Sequence, residues 1–244
     1  MAFVRTLFVA GVLLCALAPA AEAQSPRTQR AICFGNDRSD AARIIEACTS
    51  TITSGIAGTP ANLAYAYAIR AAAHWSAGDL DRAGPDYDRA VEIAPDYAPF
   101  RINRGSFRRL RGDYAGALED YDAAISSDDD YPEAFSGRGI ARARLRDPDG
   151  ALSAFEQAIR LDGQHTRAYL GRGLIRLLRG EHAAAIGDFE TALAQDARLA
   201  FAIYGRGIAR IRLGETEAGR ADIEAAVALQ QGVAAEFENY GIAR

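Results

Sequence analysis

From about residue 64 onward, apolar residues fall at i, i+3 and i+4 spacing in short runs interrupted by glycine. That spacing gives each run one buried stripe and predicts amphipathic helices, with no strand pattern among them. The runs also repeat. Gly105, Gly139, Gly173, Gly207 and Gly241 stand 34 residues apart, and Ala71 fills the preceding slot. Ala83, Ala117, Ala151 and Ala185 keep the same period, followed by Gly219, and so do Ala90, Ala124, Ala158, Ala192 and Ala226. A ring recurs at Tyr87, Tyr121, Phe155 and Phe189 and gives way to Ile223, while Gly78, Gly112, Gly180 and Gly214 mark a turn between paired helices, with Arg146 the exception. Small residues at fixed slots let two helices approach closely. One such pair cannot bury both of its faces alone, so neighbours must stack. The expected fold is all-α, a helix–turn–helix solenoid.

The strings NRGSFRRL, GRGIARARL, GRGLIRLL and GRGIARIRL show the relation directly. On these residues the chain resembles the tetratricopeptide repeat family, whose unit is a 34-residue helix–turn–helix. Five units fit without gaps, at 64–97, 98–131, 132–165, 166–199 and 200–233. Residues 234–244 begin a sixth first helix that is expected to cap the stack. Two departures are local: the family's late proline is present only as Pro95, and the last unit loses its ring. Residues 24–63 stand outside the phase and read as an N-terminal cap. Gln24 to Asn36 looks like an extended lead-in, and Ser39 or Asp40 suits the start of a helix running to about Thr53. Gly55, Gly58 and Pro60 then break the chain.

Residues 1–23 have Arg5, an apolar Leu7–Leu17 stretch and a small-x-small Ala21-Glu22-Ala23 site, the layout of a secretory leader. The rival reading, a retained anchor, needs about 20 apolar residues, more than this stretch provides. The expectation is export, with the periplasm as the compartment. Cleavage leaves Cys33 and Cys48, an even pair in an oxidising environment, and a disulfide is the natural reading. A metal or redox site is the alternative, but no CxxC spacing exists and no His lies nearby to complete a shell.

Charge narrows the function. The chain has 244 residues, 49% of them hydrophobic, and a net charge of −4. All 28 basic residues are Arg, which removes Schiff-base chemistry and the P-loop lysine. The acidic balance argues against nucleic acid. Within the five units, however, the first 14 positions hold 16 Arg against the single acid Glu133. The resemblance implies that first helices line a concave surface where ligands dock.

Some of these arginines read as framework. Arg70, Arg104, Arg138, Arg172 and Arg206 share one slot, and Asp86, Asp120, Asp188 and Asp222 share another, a pattern that suits a repeated ion pair. The third unit has Ala154 in the Asp slot, so Arg138 should lack its partner or borrow Glu156. By resemblance, the groove positions include Arg109, Arg144, Arg167, Leu170, Leu174, Leu177, Tyr204, Ile208 and Arg212, an apolar floor with cationic spots that suits an acidic or amphipathic peptide. The competing reading is that the apolar members only pack between neighbouring helices.

No motif points to catalysis. His74, His165 and His182 have no i, i+4 partner, and the latter two are expected to face solvent near turns. Asp128-Asp129-Asp130 lacks the spaced ligands of a calcium loop. The expectation is a non-enzymatic envelope scaffold with no cofactor and no metal, a protein or peptide as partner, and a monomeric or weakly associating state. The alternatives are self-association through the Phe237 and Tyr240 face, or an enzyme or metal protein whose site no motif reveals.

Overall fold

The structure is a computed structural model that describes residues 25–36 and 40–242. The expected leader, residues 1–23, lies outside the described residues. Thirteen helices and no strand occur among the described residues. They fall into two compact units, one ending at Pro95 and one beginning at Asp96.

The first unit holds α1 (Pro26–Cys33), α2 (Ala41–Thr53), α3 (Pro60–Ser76) and α4 (Leu80–Ile93). The lead-in expected to be extended is therefore largely helical. Ser25 caps α1 by accepting the Thr28 N–H, and Pro26 stands at the start, where a missing N–H costs nothing. Cys33, the last residue of α1, is bonded to Cys48 in the middle of α2, with Cα atoms 4.8 Å apart. Both sulfurs are buried beside Ile44, Ala47 and the α3 residues Ala66 and Ala73.

The second unit contains α5 (Ala98–Leu110), α6 (Tyr114–Ser127), α7 (Pro132–Arg144), α8 (Pro148–Leu161), α9 (Thr166–Leu178), α10 (His182–Gln195), α11 (Ala200–Arg212), α12 (Thr216–Leu229) and the short α13 (Val233–Glu238). The hairpin turns have one design. After α5, Gly112 takes φ 81°, and the Asp113 N–H returns to the Arg108 carbonyl at 2.9 Å. Asp113 and Asp147 then cap the following helix through their carboxylates, whereas the longer Glu181 and Glu215 make no side-chain cap bond. Arg146 occupies the glycine slot at φ 66°, a left-handed conformation that is costly for a side chain with a Cβ.

Rings hold successive hairpins together. Phe155 is buried between Gly139 of its own hairpin and Gly171 of the next; Tyr121 and Phe189 sit in the same way against Gly105 and Gly137, and against Gly173 and Gly205. A Cβ at Gly139 would come within 2.6 Å of the Phe155 ring, so the glycine is a steric requirement there. In this unit α5, α7, α9 and α11 touch one another in succession, while α6, α8, α10 and α12 make no comparable contact among themselves. The first helices therefore form the inner, concave side of the unit.

Candidate functional site

The shared Arg and Asp slots meet. Arg70 donates through Nε and Nη2 to the two Asp86 oxygens, both at 2.8 Å. Arg104 reaches Asp120 at 2.6 Å, Arg172 reaches Asp188 at 2.7 Å and Arg206 reaches Asp222 at 2.7 Å. In the second unit a further arginine one turn along closes on the same carboxylate: Arg108 on Asp120 at 3.0 Å, Arg176 on Asp188 and Arg210 on Asp222 at 2.8 Å. Each of these three carboxylates is buried between two guanidinium groups, which ties the two helices of a hairpin together. The third hairpin differs. Arg138 takes neither a carboxylate at 154 nor Glu156; its nearest acid is Asp122 of the preceding hairpin at 3.5 Å, and Glu156 acts on Arg172 instead.

The groove positions lie on the concave side, and the end of the chain lies over them. Among the described residues, the helix that follows the fifth repeat is short, running from Val233 to Glu238. The helix stops at Glu238, and Gly241 turns at φ 83°. Phe237 is fully buried, stacked on Phe201 at 4.4 Å between ring centroids and tilted on Tyr204 at 4.9 Å. Leu174, Leu177, Tyr204 and Ile208 are buried in the same cluster with Val233 and Ile242. Of these four, Tyr204 meets the tail directly through Phe237, and Leu174 also lines the cleft that stays open beside the tail. The Phe237 side of the terminal helix is likewise no exposed surface for self-association.

Tyr240 reaches further across the groove. The Arg144 guanidinium lies over its ring at 5.0 Å and over the Tyr114 ring at 4.9 Å, and it donates to the Tyr114 hydroxyl at 2.6 and 2.9 Å. Burial pushes the Tyr240 hydroxyl above the ordinary tyrosine value, so it stays protonated. Arg144 thus packs between Tyr114 and Tyr240 of the tail.

Beyond the tail the groove remains open. Arg109, Ile140, Arg167, Leu170 and Phe201 line a cleft of about 290 Å³, with Glu236 and Tyr240 of the tail on one side. That volume is just under the roughly 300 Å³ at which small-molecule pockets begin, and suits a side chain. Arg167 is exposed, Arg109 and Leu170 are half-buried, and Arg212 stands exposed at the end of α11.

Comparison with known proteins gives the family. Tetratricopeptide repeat models match residues 64–97 and 136–200, and a further TPR repeat model matches residues 105–145. The chain belongs to the tetratricopeptide repeat family. No curated protein matches it. Among solved structures, this tetratricopeptide protein is similar to PilW, a widely conserved type IV pilus biogenesis factor, at 20% identity over 90% of this chain and 99% of the other, with a TM-score of 0.67. A tetratricopeptide protein from Parabacteroides merdae is similar at 20% identity over 84% of both chains, with a TM-score of 0.66. YrrB, a TPR protein with an unusual peptide-binding site, is similar at 23% identity over 77% of this chain and 94% of the other, with a TM-score of 0.57. At these identities the likeness shows the fold.

One arrangement in this tetratricopeptide protein has the order of a nucleophilic triad. His165 Nε2 lies 2.9 Å from Ser136 Oγ, and its Nδ1 lies 3.4 Å from Asp162. Ser136 is fully buried within α7, and its hydroxyl also donates to the Glu133 carbonyl at 3.2 Å. A nucleophile sealed in this way meets no substrate, so the line pins the start of α9 to α7. His165 is accordingly mostly buried rather than solvent-facing, and His182 Nδ1 is buried without a hydrogen-bond partner. Among the described residues no three His, Cys, Asp or Glu side chains gather as a metal site would require.

Proposed function

We propose that this protein is a non-catalytic scaffold that holds a peptide segment of a partner protein at the open end of the concave groove. The segment carries an aromatic and an acidic side chain. One observation carries the reading: the chain's own tail already docks on the groove helices through Phe237 and Tyr240, beside two arginines not drawn into the ion-pair ladder. A partner with the same character finds an apolar floor at Ile140 and Leu170 and cations at Arg109 and Arg167. The peptide-binding site described for YrrB is in keeping with this reading. The proposed location is the cell envelope. It is supported by the leader-like residues 1–23 and by the Cys33–Cys48 bond, since disulfides persist in oxidising compartments.

Labelled peptides of graded acidic and aromatic content, titrated by fluorescence anisotropy, test the groove. Acidic aromatic peptides should bind the wild type, and the double variant Arg109→Glu/Arg167→Glu should lose at least about tenfold in affinity, or ~1.4 kcal/mol. Its unfolding midpoint should stay where it was. Equal binding by both chains defeats the proposal. Cell fractionation with N-terminal sequencing tests the location: a chain in the envelope fraction that begins near Gln24 supports it, and a cytoplasmic chain that keeps residues 1–23 defeats it.

A further inference from the structure

Three hairpins of the second unit place two guanidinium groups around one buried carboxylate, on Asp120, Asp188 and Asp222. The third hairpin keeps both arginines, Arg138 and Arg142, but has Ala154 where the aspartate belongs. What remains nearby serves them poorly. Asp122 is half-exposed and 3.5 Å from Arg138. Asp147 is 3.9 Å from the Arg142 Nε, and its other oxygen is engaged in capping α8 through the Gly150 N–H. The Arg138 Nε is buried and has no hydrogen-bond partner. The Phe135 ring holds the Arg138 guanidinium in place, 4.9 Å from its centroid, so the group is oriented while its one acid, the half-exposed Asp122, stays at long range.

We propose that Arg138 and Arg142 bind a carboxylate from outside the chain, in the role that Asp188 fills within the next hairpin. The ligand class follows from the sister hairpins, where the same two arginine slots close on a planar carboxylate at 2.6 to 3.0 Å. The side chains keep a route to solvent, since Arg138 is 19% exposed and Arg142 30% exposed. Burial and then the neighbouring Arg142 act against the charge on Arg138 and hold its pKa below the usual guanidinium range, and Asp122 offsets only part of this. An arriving anion offsets both effects through its charge. Two sources share this chemistry, a free carboxylate ion and the Asp or Glu side chain of a bound protein. Neither arginine lines the cleft at Arg109 and Arg167, so the site stands apart from the groove.

The decisive variant is Ala154→Asp, which returns the internal carboxylate to a slot that accepts one in the sister hairpins. Thermal unfolding is followed in sodium acetate and in sodium chloride of equal ionic strength. Acetate should raise the wild-type midpoint by about 2 °C over chloride, while Ala154→Asp melts higher in chloride and gains nothing further from acetate. An equal acetate response in both chains overturns the proposal. A second measurement covers the case in which the variant fails to fold. In ¹⁵N-arginine-labelled wild type, the Arg138 Nε–H resonance, assigned by its loss in Arg138→Lys, should move on titration with acetate or with a terminally blocked peptide carrying one Glu. Movement at lower concentration with the peptide assigns the source to a protein side chain, and movement at lower concentration with acetate assigns it to the free ion. If neither ligand moves the resonance, the proposal is wrong.

Discussion

The two ends of the concave groove are built from equivalent helix positions and have opposite fates. Toward α11, Tyr204 and Ile208 are buried beneath Phe237, Val233 and Ile242. Toward α5 and α7, Arg109 and Ile140 border an open cleft. The helical hairpin is the same at both ends, although the last repeat has Ile223 in place of the ring. What differs is a short segment after the last repeat, whose apolar side chains find the nearest unpartnered surface and cover it. Availability of a groove position therefore depends on what the rest of the chain does with it, and the tail's chemistry shows what the surface prefers.

The largest way to break this contrast is Phe237→Ala. Losing a fully buried ring should cost about 3 kcal/mol or more, measured by urea unfolding, and should turn the covered end into a second open one. Gly171→Ala comes next, since Gly171 lies between the Phe155 ring and the open cleft. Overpacking there should cost about 1–3 kcal/mol and weaken peptide binding. Gly187→Ala, with nothing within 4 Å, should be neutral or gain up to about 1 kcal/mol. Tyr240→Ala releases the clasp on Arg144 without emptying the core and should cost about 1–2 kcal/mol while widening the cleft.

The smallest effect lies outside the groove and serves as a control. His74 occupies the slot that an arginine fills in the hairpins of the second unit, and it is buried beside Asp86 and Asp79, with Arg70 and Arg82 nearby. Burial holds its pKa below 6.5, and the two acids only partly offset this. The unfolded chain therefore takes up the proton first. The stability that His74 contributes is present above about pH 6.5 and is lost as pH falls toward its folded value. Acidification should lower the wild-type midpoint more than that of His74→Gln, and peptide affinity should follow neither change.

Much of the fold was legible because it is local. The 34-residue period, the hairpin turns and the ring slots all follow from spacing along one helix or across one turn. The Arg–Asp pairing was legible for the same reason, since the two helices of a hairpin are fixed relative to each other. The helix over Pro26–Cys33 had a signal that was missed, Ser25 followed by proline at the first helical position. The partner of Arg138 was legible only as an absence. Asp122 belongs to a neighbouring hairpin, and sequence distance does not reveal which exposed acid swings within reach.

The sequence by itself determined that helical hairpins form, where each one turns, and which glycines must yield space to a ring, because those are steric and periodic facts of a short stretch of chain. Tertiary structure alone decided which groove residues remain free. Val233 and Phe237 carry the same apolar spacing whether they extend the stack or fold over it, and only the competition between surfaces selects one.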